Sequence, residues 1–180
     1  MVMKAERILV PLDGSQLAEM ALPTAVELLS NAPGATIILL RAAETRSLPG
    51  VDPVDAQASA VREAESYLAT VADGLCEQGI TRVVRSVWYS SAAKAIVEAA
   101  RVRGVDLIVM STHGPSGVRR ALRGSVAETV LRGTRTPILL VSAGGSVDMG
   151  SHRATTTRKS RRRMRPTMSS AGPFGPSRSR

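Results

Sequence analysis

The chain is nearly devoid of aromatic residues, with one Trp, two Tyr and one Phe among 180 positions. Any core it forms must therefore be aliphatic. Cysteine is almost absent as well. Cys76 stands alone, which excludes a disulfide framework and a cysteine-clustered zinc site. No long apolar run is present. The first stretch, Ile8 to Leu12, is too short for the apolar region of a signal peptide and far too short to span a bilayer. The chain is accordingly expected to be soluble and cytoplasmic. There is no Gly-x-x-x-x-Gly-Lys-Ser/Thr, so it is not a P-loop enzyme. Internal repeats are lacking. Acidic residues are missing from residues 144–180 except for Asp148, although that stretch carries nine Lys and Arg.

That last absence locates the charge. The formal net charge is +9, yet residues 1–143 hold 15 basic against 14 acidic side chains, a net of +1. The remaining +8 belongs to the C-terminal stretch, which is rich in Ser, Thr, Arg, Gly and Pro. With hardly any aliphatic residue to bury, that stretch is expected to be a disordered basic tail. The organisation expected is a domain over 1–143 and a tail over 144–180. The cluster Arg158-Lys-Ser-Arg-Arg-Arg-Met-Arg165 suits non-specific contact with nucleic acid or another polyanion. A solubilising extension is the plainer reading. With Phe174 its single aromatic, the tail is not built for base stacking.

Hydrophobic residues make up 43% of the chain. They gather in five short runs: Ile8–Leu12, Thr36–Leu40, Arg82–Tyr89, Asp106–Met110 and Pro137–Val141. Four are nearly continuous, as expected of strands covered on both faces. The run with Arg82, Arg85 and Ser86 is mixed and suits a sheet edge. Between them lie helical patterns. Val61, Ala64, Leu68, Val71 and Leu75 share one face. Gln16–Ser30 reads as a helix kinked at Pro23. Ser91–Arg103 ends at Gly104, and Ser125–Arg132 at Gly133. This alternation predicts an α/β fold: a single doubly wound, five-stranded parallel sheet with helices on both faces, Rossmann-like. Such sheets bind ligands outside the carboxyl ends of their strands.

Two segments leave strands at that end. Ser111-Thr-His-Gly114-Pro-Ser-Gly117-Val-Arg-Arg-Ala-Leu-Arg-Gly124-Ser125 runs from a strand into a helix. Its glycines let backbone approach a phosphate. Ser125 and Glu128 read as a capping box, which sets a helix N-terminus beside Gly124. Arg119, Arg120 and Arg123 add positive charge. The alternative is a long loop before an ordinary capped helix. The second segment is Val10-Pro-Leu-Asp13-Gly-Ser15, whose carboxylate can accept hydrogen bonds from an adenine amine or ribose hydroxyls. Asp13 read alone suits a turn before Gly14. Other features carry less. Ser91-Ala-Ala-Lys94 lacks the partner motifs of a serine hydrolase and reads as a helix start. His113 is a candidate phosphate contact, though a lone loop histidine more often makes local hydrogen bonds.

Together these segments resemble the universal stress protein family over about residues 4–143. The family's Val-Pro-x-Asp-x-Ser is matched by Val10, Pro11, Asp13 and Ser15. Its ATP-binding members carry Gly-x-x-Gly, nine residues, then Gly-Ser or Gly-Thr. Gly114, nine intervening residues, Gly124 and Ser125 fit, with Ser111 in place of the first glycine. The resemblance implies ATP binding, with Pro11, Asp13, Ala42 and Met110 around adenine and ribose. Gly114, Gly124, Ser125 and Val126 would hold the triphosphate. His113 and Arg119, in the same loop, are further candidate phosphate contacts by their own chemistry, and magnesium is a candidate companion of ATP. The resemblance also implies a homodimer through the last strand, from Pro137. The function expected is an ATP-binding sensor or regulator in stress response rather than an enzyme. The alternatives are a slow ATP hydrolase, for which no partnered general base is visible, and an interaction protein that works through its tail.

Overall fold

In the computed structural model, residues 5–44, 52–112 and 126–142 are described together with the backbone of 147–149. The elements are β1 (Arg7–Pro11), α1 (Gln16–Glu19), α2 (Ala21–Ser30), β2 (Thr36–Ala42), α3 (Pro53–Glu77), β3 (Val83–Trp88), α4 (Ala92–Val102), β4 (Leu107–Thr112), α5 (Val126–Gly133), β5 (Ile138–Ser142) and β6 (Val147–Met149). The sheet order is β3-β2-β1-β4-β5-β6. β1 pairs with β2 and β4, β2 with β3, and β4 with β5, all parallel. The expected doubly wound parallel sheet is therefore present, with β3 at an edge.

The near-continuous apolar runs follow from this two-sided burial. Successive strand residues point to opposite faces, so Ile8 and Val10 of β1 join one core while Leu9 joins the other. The first core includes Ile37, Leu39, Leu68 and Leu75 and is closed by α1, α2 and α3. The second includes Ile38, Leu40, Ile96, Ile108 and Val130 and is closed by α4 and α5. Burying each such side chain contributes about 1.5–3 kcal/mol. In α3 the buried face is Ala64, Leu68, Ala72 and Leu75, spaced at three and four residues as a helix stripe requires. Gly104 ends the α4 segment at φ +57°, a left-handed conformation that costs glycine little.

Three details differ from the sequence reading. The segment 16–30 is two helices rather than one kinked at Pro23, and the break falls at Met20. Pro23 is the third residue of α2, where its missing N–H would have had no intrahelical acceptor. Helix α3 starts eight residues before its apolar stripe. Asp52 caps it by accepting the Val54 N–H at 2.7 Å, and Pro53 occupies the first helical position. Finally, the stretch assigned to the tail contributes β6. This three-residue strand lies antiparallel to β5, with Val147 opposite Val141 and Met149 opposite Leu139. Such a short strand has no periodicity to find in sequence. Its pairing covers the outer edge of β5, which carries no charged residue of its own. Residues 150–180 lie outside the described residues.

Candidate functional site

The strand order reverses between β1 and β4, and the sheet opens there. β1 and β4 pair at Ile8–Leu107 and Leu9–Ile108. β1 remains paired to β2 as far as Pro11–Leu40, while β4 continues beside β5 to Thr112–Ser142. The two central strands therefore run on toward their carboxyl ends on separate partners. That arrangement is the switch-point crevice of a doubly wound sheet.

Pro11, Asp13 and Ala42 sit at or just past these ends, and Met110 lies two residues before the end of β4. Pro11 closes β1 and Ala42 closes β2, and both are half-buried; Met110 lies in β4 and is buried. After Pro11, the Leu12 N–H still donates to the Leu40 carbonyl at 2.8 Å, and the chain then turns away. Asp13 Oδ1 accepts the Ser15 N–H at 2.9 Å, and Gly14 supplies φ +89°. Ser15 Oγ in turn accepts the Ala18 N–H at 3.1 Å and caps α1. One short run thus ends a strand, turns, and starts a helix. The turn role of Asp13 is realised here, and its side chain is also exposed toward solvent. Burial raises its pKa, but hydrogen bonds from Ser15 and the nearby Arg41 charge outweigh that, and the net shift is downward. Asp13 is accordingly an ionised acceptor at neutral pH.

Sequence reasoning missed the side chains packed behind this turn. The Arg41 guanidinium carbon lies 4.7 Å from the centre of the Tyr67 ring, and Arg41 Nη2 contacts Glu63 Oε1 at 2.9 Å. Tyr67 Oη donates to Glu19 Oε1 at 2.7 Å. Burial and the Glu19 carboxylate push the Tyr67 phenol above its ordinary range. Arg41 directly follows the apolar run Thr36–Leu40 and carries no local signal of its own. Its partners lie 22 and more positions away, and no local pattern joins them.

Of the expected phosphate-binding residues, Val126 is described. It is the first residue of α5 and is exposed. His113, Gly114, Arg119, Gly124 and Ser125 lie outside the described residues. Glu128, the second half of the expected capping box, contacts Arg132 Nη2 at 2.7 Å. Among the described residues, no group of three His, Cys, Asp or Glu could hold a metal ion. No described helix is long and apolar enough to cross a membrane. A groove of about 500 Å³ lies elsewhere, at the β3 edge, lined by Val61, Glu65, Arg85, Val87 and Tyr89.

The sheet order, the opened β1–β4 seam and the capped turn at Asp13 define a doubly wound α/β protein whose sheet parts at its switch point. Residues 4–142 match the model of the universal stress protein family, and the chain belongs to that family. A universal stress protein of Staphylococcus haemolyticus is 30% identical over 142 residues, covering 76% of this chain and 84% of that protein. In two shorter matches, to universal stress proteins of Methanocaldococcus jannaschii, the aligned segment spans only 29% and 32% of the relative's length. Among solved structures, protein MJ0577 superposes with a TM-score of 0.62 at 27% identity, covering 81% of this chain and all of that one. A universal stress protein solved in complex with cAMP superposes with a TM-score of 0.60 at 24% identity, covering 77% and 97%. At that identity the likeness is one of fold.

Proposed function

We propose that the chain is a cytoplasmic ATP-binding regulator of the universal stress protein type, acting by binding rather than by turnover. The observation that carries this reading is the ionised, solvent-facing Asp13 beside the opened β1–β4 seam. It joins the sequence pattern Gly114, nine residues, Gly124-Ser125 in the segment that leads from β4 into α5. In this reading Pro11, Asp13, Ala42 and Met110 take the nucleoside. Gly114, Gly124, Ser125 and Val126 take the phosphates, assisted by His113 and Arg119. A glycine-rich run before a helix N-terminus offers amides and a favourable dipole to an anion. Magnesium, where present, would be held chiefly by the ATP phosphates. A fold neighbour was solved in complex with cAMP, itself a purine nucleotide. Native mass spectrometry of the full-length protein after incubation with ATP tests the reading. One adenine nucleotide per chain is expected. A spectrum with the unliganded mass alone would overturn it.

Two further features belong to the proposal. A homodimer through β5 would require β6 to leave the β5 edge it now covers. The tail, with eight of the nine net charges, is the candidate polyanion contact. Truncation after Met149, which keeps β6, should abolish retention on heparin while leaving ATP affinity within about twofold. For the full-length protein that retention should fall steeply with salt, because each neutralised phosphate releases about 0.7–0.9 counterions. Heparin binding by the truncated chain, displaced by ATP, would instead place the contact in the nucleotide site.

A further inference from the structure

The first core ends abruptly at Arg41. Ile37 and Leu39 of β2 point into it, and the next residue on that face is an arginine only 17% exposed. A guanidinium taken that far from water needs partners. The ring of Tyr67 lies beneath it and Glu63 contacts it from α3. Yet Glu63 is 73% exposed, and ion pairs of that kind add little to stability. An aliphatic residue would continue the core at least as well, so the charge at this position calls for a reason other than packing.

Its surroundings supply one. Arg41 Nη1 lies 3.4 Å from where a Cβ on Gly14 would stand, so the guanidinium lies against the turn between Asp13 and Ser15. The same Tyr67 that carries Arg41 also binds Glu19, the last residue of α1. The segment from Asp13 to Glu19 is therefore gripped twice, near its start by Arg41 and at its end by the Tyr67 hydroxyl. Between the grips lie the Asp13–Ser15 hydrogen bond and the Ser15 cap of α1. A four-residue helix has little intrinsic stability. The grips give this one a fixed place.

We propose that Arg41 is a positioning residue of the strand-end site: stacked on Tyr67 and paired with Glu63, it fixes the Asp13–Ser15 turn so that the Asp13 carboxylate is presented as a hydrogen-bond acceptor. This rests on the nucleotide reading and adds a selectivity to it. An acceptor-only carboxylate recognises ligand donors, the hydroxyls of a ribose or an exocyclic amine, and disfavours a phosphate at the same spot. By holding that carboxylate in place, Arg41 favours the nucleoside end of the nucleotide at β1. Among the described residues, the groups next to Asp13 and Arg41 are Ser15 from the turn and Glu63 and Tyr67 from α3, with Glu19 of α1 bound to Tyr67.

The test uses the full-length chain with Arg41→Met, Arg41→Lys and Tyr67→Phe, each titrated calorimetrically with ATP, adenosine and inorganic triphosphate. Arg41→Met should weaken ATP and adenosine by a common factor of about tenfold, with triphosphate unchanged. Arg41→Lys should recover part of the loss, since it keeps the charge and loses the planar fork. Tyr67→Phe should cost less than Arg41→Met, because it releases only the Glu19 grip. Carbon-13 carboxyl titration of Asp13 gives a ligand-free readout. Its midpoint should move up in Arg41→Met and return in Arg41→Lys. A role in packing alone would lower the melting temperature and leave the Asp13 midpoint and the ligand ratios in place, and that result overturns the proposal. Equal adenosine binding by wild type and Arg41→Met overturns it while the nucleotide reading stands. Failure of the wild type to bind any of the three ligands removes both.

Discussion

The two ends of the sheet use their charged side chains differently. At the amino end, charge is tied to backbone. Asp106 Oδ2 accepts the N–H groups of Glu6 and Arg7 at 3.0 and 2.9 Å, and Arg7 Nη1 donates to the Arg103 carbonyl at 2.8 Å. Arg82 likewise donates to the Gly34 carbonyl. These bonds join segments distant in sequence and satisfy main-chain groups that strand ends would otherwise leave open. At the carboxyl end, side chains bind one another, Arg41 to Glu63 and Tyr67 to Glu19, beside an Asp13 whose carboxylate accepts from the Ser15 N–H. One end is stitched for stability. The other presents charge to solvent in a fixed arrangement, which is what a binding site requires.

If that contrast is real, substitutions at the carboxyl end should change affinity with little effect on stability, and those at the amino end the reverse. The largest effect is expected from Gly124→Val, which places a branched side chain where backbone amides are to meet phosphate. ATP affinity should fall at least tenfold, about 1.4 kcal/mol, with circular dichroism unchanged. Asp13→Ala should weaken ATP and adenosine by roughly tenfold, as expected for lost hydrogen bonds to a charged group, and should spare inorganic triphosphate. Loss of triphosphate binding with adenosine retained would place Asp13 at the wrong end of the ligand. Asp106→Ala should do the opposite, costing about 1 kcal/mol for two lost hydrogen bonds at the surface and leaving ATP affinity within about twofold; chemical denaturation reads it. An Asp106 variant that unfolds no more easily but binds ATP poorly would break the contrast.

The smallest effect is one of pH. The folded-state pKa of Asp13 lies below its ordinary value of 3.8. Its contribution to stability is therefore fully present above that ordinary value and is lost as pH falls through the depressed one. Wild type should exceed Asp13→Asn in melting temperature at pH 6, and the gap should close below the ordinary carboxylate range. A gap that instead widens toward acid would mean that Asp13 is protonated in the fold.

The fold was legible because both faces of the sheet are covered. Ile8 to Val10 and Ile37 to Leu40 are apolar at every position, which identifies two-sided strands, and the order of runs then dictates parallel pairing. The mixed run with Arg85 fell at the edge, where one side of a strand needs no apolar cover. What escaped was either too short or too polar to carry a period. β6 has three residues, and the first two turns of α3, from Pro53 to Ala60, lie largely in solvent and show no stripe. The site divides similarly. Asp13 and Ser15 announced themselves because a strand end, a turn and a helix cap fall within six residues. Arg41, Tyr67 and Glu19 meet only through the fold, since Glu19 and Tyr67 are 48 residues apart and nothing local pairs them.

The central claim is that the opened strand ends and the glycine segment form one nucleotide site. Calorimetric titration of the full-length chain with ATP, beside Gly124→Val and Asp13→Ala, tests it most directly. The account predicts saturable binding of one ATP per chain, weakened by either substitution. It also predicts that adenosine is sensitive to Asp13 alone and triphosphate to Gly124 alone. Saturable ATP binding that neither substitution alters would contradict it and place the nucleotide elsewhere on the molecule.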